Sequence, residues 1–455
     1  MKIINPATEE VIGQVKEFTL AEIRSIYLEL LNGQKLWQDK PLADRIEIIK
    51  KFGELVKASI DDLAATLTSE MGKPVKQSRN EILGAHNRID FFASETEKWL
   101  ADEWQSKKSK TKEMTAYEPL GVVGNISAWN YPYNVGYNVF IPALICGNSV
   151  FYKPSEHASL TGLKIEALMH EAGVPENVFR TVTGGKTTGE ALLKIPLNAY
   201  FFTGSYHTGQ KIASEVAPKM VPLQMELGGK DPLYVTDDVK DIAKNAAMAV
   251  EGKFYNAGQS CCAVERIYVH EKIYDKFVDE FVKVVEMLRV GDPTREDTDM
   301  GPLARKEHLK FLLFQVNDAL DKGARLLTGD EVLDSKGYYF EPTVLTDVSH
   351  QMSLMVDETF GPLVGIQKVE DDEEAIALMN NTTFGLTAAV FSSNEKRAKA
   401  ILDRINAGTV YWNCCDRVSP TSPWSGRKNS GLGSTLSHQG IRAFVQPKAY
   451  HLRAQ

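Results

Sequence analysis

From about residue 120 onward, short apolar runs take turns with amphipathic stretches, and this alternation narrows the accessible folds more than any other feature. The runs are Gly121–Ile126, Ser149–Tyr152, Val178–Val182, Ala199–Phe202, Pro222–Met225 and Leu233–Val235. Between them lie segments with helical spacing, such as Leu160, Leu163 and Ala167. Strand-like and helix-like segments in alternation build a mainly parallel sheet covered on both faces. Ligands of such sheets sit at the carboxyl ends of the strands. A second α/β stretch runs from about 230 to 428, with helix-like Ile273–Leu288 and strand-like Val364–Val369 and Thr387–Phe391.

The opening stretch reads as helical. Ile23, Ile26, Tyr27, Leu30 and Leu31 recur at i, i+3, i+4, i+7 and i+8, which makes one apolar stripe. Arg45 to Leu67 behaves similarly, and both are read as packing helices. The tail Ala443–Arg453 reads as extended. A chain of 455 residues exceeds the roughly 250–300 at which a single core stops growing, so two or more domains are expected.

A formal charge of −8 gives no electrostatic reason to bind nucleic acid or an anionic membrane. Lys107, Lys108 and Lys110 are read as a solvated edge. No apolar run follows Lys2, and no window holds about 18 uninterrupted apolar residues, so neither a signal peptide nor a membrane span is expected. The five cysteines, Cys146, Cys261, Cys262, Cys414 and Cys415, lack C-x-x-C spacing. They form no disulfide framework, and no metal site is expected. A reducing, cytoplasmic setting fits them.

Several short segments carry chemistry. In Gly258-Gln259-Ser260-Cys261-Cys262 a cysteine follows a glycine-bearing turn, which can present a thiolate nucleophile. Alone, such a cysteine is more often a small buried hydrophobe. In Leu223–Lys230 an acid, Glu226, ends an apolar strand and meets two glycines. Burial there would raise its pKa toward the range of a general base, although a glutamate at a strand end more commonly points to solvent. Phe201–Gly209 reads as strand, glycine turn and a helix starting near Thr208, whose N-terminus can hold a pyrophosphate. The spacing is not G-x-G-x-x-G, so by itself it says only strand–turn–helix. In Ser127-Ala128-Trp129-Asn130-Tyr131-Pro132 an Asn amide can be aimed at a developing oxyanion. Tyr152-Lys153-Pro154-Ser155-Glu156 directly follows a strand, and Glu358-Thr359-Phe360-Gly361-Pro362 completes the set.

Taken together and in this order, the six motifs resemble those of the aldehyde dehydrogenase superfamily, and the likeness runs from Asn5-Pro6-Ala7-Thr8 to the tail. The resemblance implies a Rossmann-like cofactor domain, an α/β catalytic domain and a small β oligomerisation element. The divisions expected are 1–107 with 122–228, then 229–428, then 108–121 with 429–455. It also implies Cys261 as nucleophile, Glu226 as water-activating base and Asn130 in the oxyanion hole. Lys153 and Glu156 would meet the adenine ribose, Gly204 and Ser205 the pyrophosphate, Glu358 the nicotinamide ribose and Phe360 the nicotinamide, with Trp129 placed beside them. Tyr133, Cys262, Asp416 and Arg417 are the candidates for substrate contacts.

The implied reaction is oxidation of an aldehyde to a carboxylic acid through a cysteine thiohemiacetal and thioester, with NAD or NADP as cofactor. Glu156 favours NAD, because an acid accepts hydrogen bonds from a ribose 2′-hydroxyl and repels a 2′-phosphate. Succinate semialdehyde is one candidate substrate, its distal carboxylate needing a cation such as Arg417 or Arg427. The implied assembly is a homodimer or homotetramer. A CoA-acylating enzyme is the neighbouring alternative, disfavoured by Glu226; a protein that kept the fold without catalysis is the other. Three departures from the family pattern stand out. Cys262 adjoins Cys261 and can trap it under oxidation; Val250–Tyr255 looks longer than usual; and Trp424-Ser425-Gly426-Arg427-Lys428 replaces a P-F-G-G-x-K-like run.

Overall fold

Five of the apolar runs pair into one six-stranded sheet. Its order is Gly431–Leu432, Leu223–Glu226, Ala199–Thr203, Val122–Ile126, Ser149–Lys153, Phe179–Thr181. All neighbours are parallel except Gly431–Leu432, which runs antiparallel to Leu223–Glu226. The computed structural model describes residues 1–107, 110–333 and 336–453, so Lys108 of the expected solvated edge lies outside the described residues.

The sheet shows why the runs are continuously apolar. Side chains alternate between faces. Val122, Phe151, Tyr200 and Phe202 pack on one side against Ile23, Ile26 and Leu30 of the helix Leu20–Asp39. Val123, Val150, Tyr152 and Phe201 pack on the other side with Phe52 and Phe140. Both faces are buried, so no polar alternation survives in the sequence. Strand order reverses at Val122–Ile126: the chain adds Ser149–Lys153 and Phe179–Thr181 on one side, then Ala199–Thr203 and Leu223–Glu226 on the other. That is the kind of switch point at which a crevice opens beyond the strand ends.

The run at Leu233 starts a second sheet. Its order is Arg325–Thr328, Thr343–Thr346, Leu363–Val369, Arg266–His270, Pro232–Val235, Thr387–Phe391, Thr409–Trp412, with only the first pair antiparallel. A third sheet pairs Val445–Arg453 with Thr111–Pro119 over a nine-residue register, and Thr111–Pro119 with Glu103–Ser106. Glu103–Ser106 therefore joins this ribbon from the 1–107 side of the expected division, and Gly431–Leu432 joins the first sheet from within 429–455.

Three local expectations are corrected. The chain opens with a hairpin, Lys2–Ile4 against Val11–Gln14, before its first helix. Arg45 to Leu67 belongs to two helices, Leu42–Ala58 and Ile60–Met71, because Ser59 leaves helical geometry. The helix expected near Thr208 begins at Tyr206, since Ser205 is its N-cap and accepts from the Thr208 N–H. Among the described residues no helix is long and apolar enough to cross a membrane.

Candidate active site

The carboxyl edge of the first sheet faces the amino edge of the second. Ile126, Lys153, Thr203 and Glu226 end strands of the first. Cys261 lies just ahead of the strand Arg266–His270, and Glu358–Phe360 just ahead of Leu363–Val369. Two cavities occupy this junction. One, of about 510 Å³, is lined by Lys153, Glu156, Gly204, Ser205, Glu226 and Glu358 among others. The second, of about 560 Å³, is lined by Arg88, Asn138, Glu251, Cys262, Asp416 and Arg417 among others. Cys261 and Asn130 stand in the walls of both.

The nucleophile loop is built with strain. The helix Ile242–Phe254 carries the segment that looked long, and then Asn256, Ala257 and Gly258 all take left-handed backbone, with φ of 54°, 54° and 70°. Each non-glycine residue there costs roughly 1–2 kcal/mol. Gly258 cannot carry a side chain, since a Cβ would meet the Gly361 carbonyl oxygen at 2.3 Å. Hydrogen bonds offset the strain: the Asn256 N–H donates to Gln77 Oε1 at 2.9 Å, and Gln259 Nε2 donates to the Asn256 carbonyl at 3.1 Å. Cys261 emerges half-buried while Ser260 and Cys262 beside it are buried.

Asn130 is tied to this loop. Its Nδ2 donates to the Gln259 carbonyl at 3.1 Å, which occupies one amide N–H and leaves the other for a ligand. Its own carbonyl accepts from Lys73 Nζ at 2.8 Å and from Asn256 Nδ2 at 3.3 Å. Lys73 is buried, paired with Glu81 and set over the Tyr131 ring at 3.8 Å. Glu81 in turn accepts from the Tyr133 N–H at 3.0 Å, so one ion pair braces the whole Asn130–Tyr133 segment.

Glu226 is buried at the end of its strand. Its Oε1 accepts from Thr435 Oγ1 at 3.1 Å, and among the described residues no group lies within hydrogen-bond geometry of Oε2. Burial pushes its pKa up to about 8, against the opposing influence of the Thr435 hydroxyl and the nearby Trp424 side chain. Glu358 reaches about 7, mainly through burial and then the neighbouring charge of Glu265; the Gly229 N–H, donating to Oε1 at 3.0 Å, works the other way. The same link holds two motifs together. Lys230 Nζ reaches Glu265 at 2.7 Å and Thr359 Oγ1 at 3.0 Å, and Glu265 accepts from the Thr359 and Phe360 N–H groups at 2.8 and 3.2 Å. Phe360, held at a φ of 48°, meets the Trp129 ring edge-on with centroids 5.5 Å apart.

The first cavity fits a dinucleotide. The helix Tyr206–Val216 opens onto it, with its N-terminal N–H groups suited to a pyrophosphate. Gly204 leaves a cradle that a Cβ would fill, since it would meet the Phe202 ring at 2.5 Å. Lys153 is buried, its pKa lowered by that burial, and among the described residues its Nζ donates only to the Pro154 carbonyl, at 3.2 Å. Burial would raise Glu156, but its own backbone N–H and Lys153 outweigh this and keep it low and ionised. Trp129, Lys153, Glu156, Gly204, Ser205, Glu358 and Phe360 all line this cavity.

Of the four substrate candidates, Cys262, Asp416 and Arg417 line the second cavity. Tyr133 does not and is a correction. It is fully buried against Tyr137, centroids 6.0 Å apart, because on the helix Pro132–Ile145 the positions facing the cavity are Asn134, Val135 and Asn138, and Tyr133 falls on the core side. Arg427 also lies elsewhere, exposed on a strand paired with Phe384–Gly385. Cys262 Sγ donates to Asp416 Oδ1 at 2.9 Å. Thr435, Lys73, Glu81 and Arg88 were not singled out by the sequence. Arg88 had a readable signal: Asn80, Leu83, Gly84, Asn87 and Arg88 repeat at helical spacing and put polar groups on one face of Val75–Leu100.

The aldehyde dehydrogenase family model matches residues 1–450. A betaine aldehyde dehydrogenase of Vibrio vulnificus (strain CMCP6) is 33% identical over 98% of this chain and 93% of its own. A succinate-semialdehyde dehydrogenase [NADP(+)] of Mycobacterium ulcerans is 34% identical over 98% of each chain. The crystal structure of betaine aldehyde dehydrogenase from Staphylococcus aureus with NAD+ superposes with a TM-score of 0.96 at 30% identity, covering 100% of this chain and 92% of that one.

Proposed function

The chain belongs to the aldehyde dehydrogenase family, and from that premise we propose that it oxidises a small aldehyde to the free carboxylic acid through a thioester on Cys261. As a member it is an NAD(P)-dependent oxidoreductase acting on an aldehyde. One observation carries the finer reading: Cys261 and Asn130 are shared by two cavities, so carbon held on that sulfur faces both.

The Cys261 thiolate adds to the aldehyde carbon, and the carbonyl oxygen becomes an oxyanion. The free N–H of Asn130 and the backbone N–H of Cys261 receive that charge; one such donor contributes roughly 2.7–4 kcal/mol. Bound NAD or NADP supplies the hydride acceptor. Lys153, Glu156, Gly204, Ser205, Glu358 and Phe360 would hold it. The carbon is left as a thioester on Cys261. Glu226 then takes a proton from water, which attacks the thioester and releases the acid and the thiol. The experiment is a product assay with NAD+, an aldehyde panel including succinate semialdehyde, and no CoA. One acid is expected per reduced nicotinamide. Reduction that requires CoA would overturn the hydrolytic reading.

On cofactor choice, Glu156 supports NAD over NADP. The ratio of kcat/KM for NAD+ to NADP+ should exceed about 10 and fall by about tenfold in Glu156→Gln, each tenfold step being ~1.4 kcal/mol. A wild-type preference for NADP+ would end this assignment.

The ribbon Val445–Arg453 supports a homodimer or homotetramer. Among the described residues its outer strand has an unpaired edge, it is mostly exposed, and exposed edges are normally covered. The five thiols, all free, suit a reducing cytoplasmic setting.

A further inference from the structure

The second cavity contains a cation without an anion. Arg88 is 4% exposed, yet among the described residues no carboxylate lies within ion-pair distance of it. Its Nε–H donates to Asn138 Oδ1 at 2.6 Å and its Nη1 to the Gly84 carbonyl at 3.3 Å. Among the described residues Nη2 has no protein acceptor, and it is open to solvent.

Other buried cations are treated differently. Lys73 has Glu81, and Lys230 and Lys253 share Glu265. Arg266 spreads its guanidinium over the carbonyls of Lys230, Leu378 and Met379 and the Tyr268 hydroxyl. Arg45 is likewise satisfied by the carbonyls of Ile145, Trp37, Gln38 and Lys40. Lys153 resembles Arg88 in lacking an ion pair, and it faces the cavity proposed for an anionic cofactor. A buried charge left unpaired by the protein is costly unless something else completes it.

Asn138 adds a second donor. Because its Oδ1 accepts from Arg88, its amide nitrogen points away from the guanidinium, and among the described residues it has no protein acceptor. Asn138 also lines the cavity. The carboxylates of that wall do not compete for Arg88. Glu81 is engaged by Lys73, and Asp416 accepts from Cys262 and Ser260 while burial pushes its pKa up. Glu251 and Arg417 are both exposed.

We propose that the substrate is an aldehyde whose other end bears a carboxylate, received by the Arg88 guanidinium and the Asn138 amide in the cavity that opens on Cys261. The planar fork of an arginine pairs with a carboxylate through two parallel hydrogen bonds. A neutral hydroxyl would leave the charge unbalanced, and a cationic aldehyde would be repelled. The assignment rests on the reading of Cys261 as the atom that holds the aldehyde carbon. It makes Arg88 the residue that sets specificity, in place of Arg417 or Arg427.

The test compares 4-oxobutanoate, butanal and betaine aldehyde in steady-state kinetics. Wild type should prefer 4-oxobutanoate to butanal by about 100-fold in kcat/KM, the size expected for a charge-assisted pair. Betaine aldehyde should be the poorest of the three. In Arg88→Gln the ratio of kcat/KM for 4-oxobutanoate to butanal should collapse by about 100-fold, chiefly through KM, and Arg88→Lys should restore part of it. A wild-type enzyme without anionic preference, or an Arg88→Gln variant with an unaltered ratio, would overturn the assignment. If no aldehyde of the three reduces NAD+ or NADP+, the failure belongs to the catalytic reading; butanal turnover with no anionic preference counts against Arg88 alone. Titration of Cys261→Ser, which keeps Arg88, with succinate gives a readout free of turnover. Binding competed by 4-oxobutanoate but not by butanal supports the site, and absence of binding overturns it.

Discussion

Cys261→Ala should lower steady-state turnover by on the order of 10⁴-fold or more, the scale seen when a covalent nucleophile is removed. Cofactor affinity, read by fluorescence titration, should stay close to wild type. The residues proposed to hold the cofactor are carried by the ends of the first sheet and by the Glu358–Phe360 loop, which Glu265 and Lys230 anchor without help from Cys261. The adjacent thiol cannot replace the missing one. Cys262 is buried, donates its proton to Asp416, and is pushed well above the usual thiol range first by hydrogen bonding to Cys261 and then by burial. The alanine removes the Cys261 contribution, yet burial and Asp416 still hold the Cys262 proton. Intact-mass analysis should find an acyl adduct on wild type during turnover and none on the variant. A variant that still turns over within tenfold of wild type would refute the thioester route.

Glu226→Gln should separate the two halves of the reaction. A rapid burst of about one NADH per site should remain, because adding the thiolate and expelling the hydride do not require this carboxylate. The steady-state rate after the burst should fall by about 10²–10³-fold, within the range of a lost general base. Loss of the burst together with the steady state would place Glu226 in the first half instead. pH dependence gives a second handle. Burial raises the Glu226 pKa to about 8, so below pH 8 the carboxyl is mainly protonated and cannot accept a proton from water. Deacylation should therefore rise with pH through about 8 in wild type, and this limb should vanish in the glutamine variant. Thr435→Val removes a hydrogen bond that lowers the Glu226 pKa. The limb should then shift to higher pH, and a shift in the acid direction would contradict the assigned role of Thr435.

The residues proposed for the cofactor could be singled out in sequence because their signals are local. Gly204 and Ser205 follow a strand directly, Ser205 caps the next helix, and Lys153, read as directly following a strand, is that strand's last residue. A strand end, a cap and a tight turn are set by a few consecutive residues, so short-range pattern suffices. The proposed substrate wall was not readable in the same way. Tyr133 shares the Asn130 motif, yet a rotation of about 100° per helical residue turns it to the core while Asn134 faces the cavity. Arg88 and Asn138 sit on different helices, and it takes the tertiary structure, through their 2.6 Å hydrogen bond and a shared cavity, to bring them to one wall.

By itself the sequence determined the alternating α/β architecture, the family and the motifs that hold Cys261, Glu226 and Asn130, because doubly buried strands and tight glycine turns demand particular residues in a row. The tertiary structure alone decided how the carboxyl edge of one sheet meets the amino edge of the other. It also decided which buried groups are paired: Thr435 lies 209 positions from the Glu226 it meets, while Arg88 shares a cavity with Glu81, Glu251 and Asp416 and, among the described residues, has no carboxylate within ion-pair distance. The physical reason is that pairing and desolvation depend on distance in space, which chain order does not record.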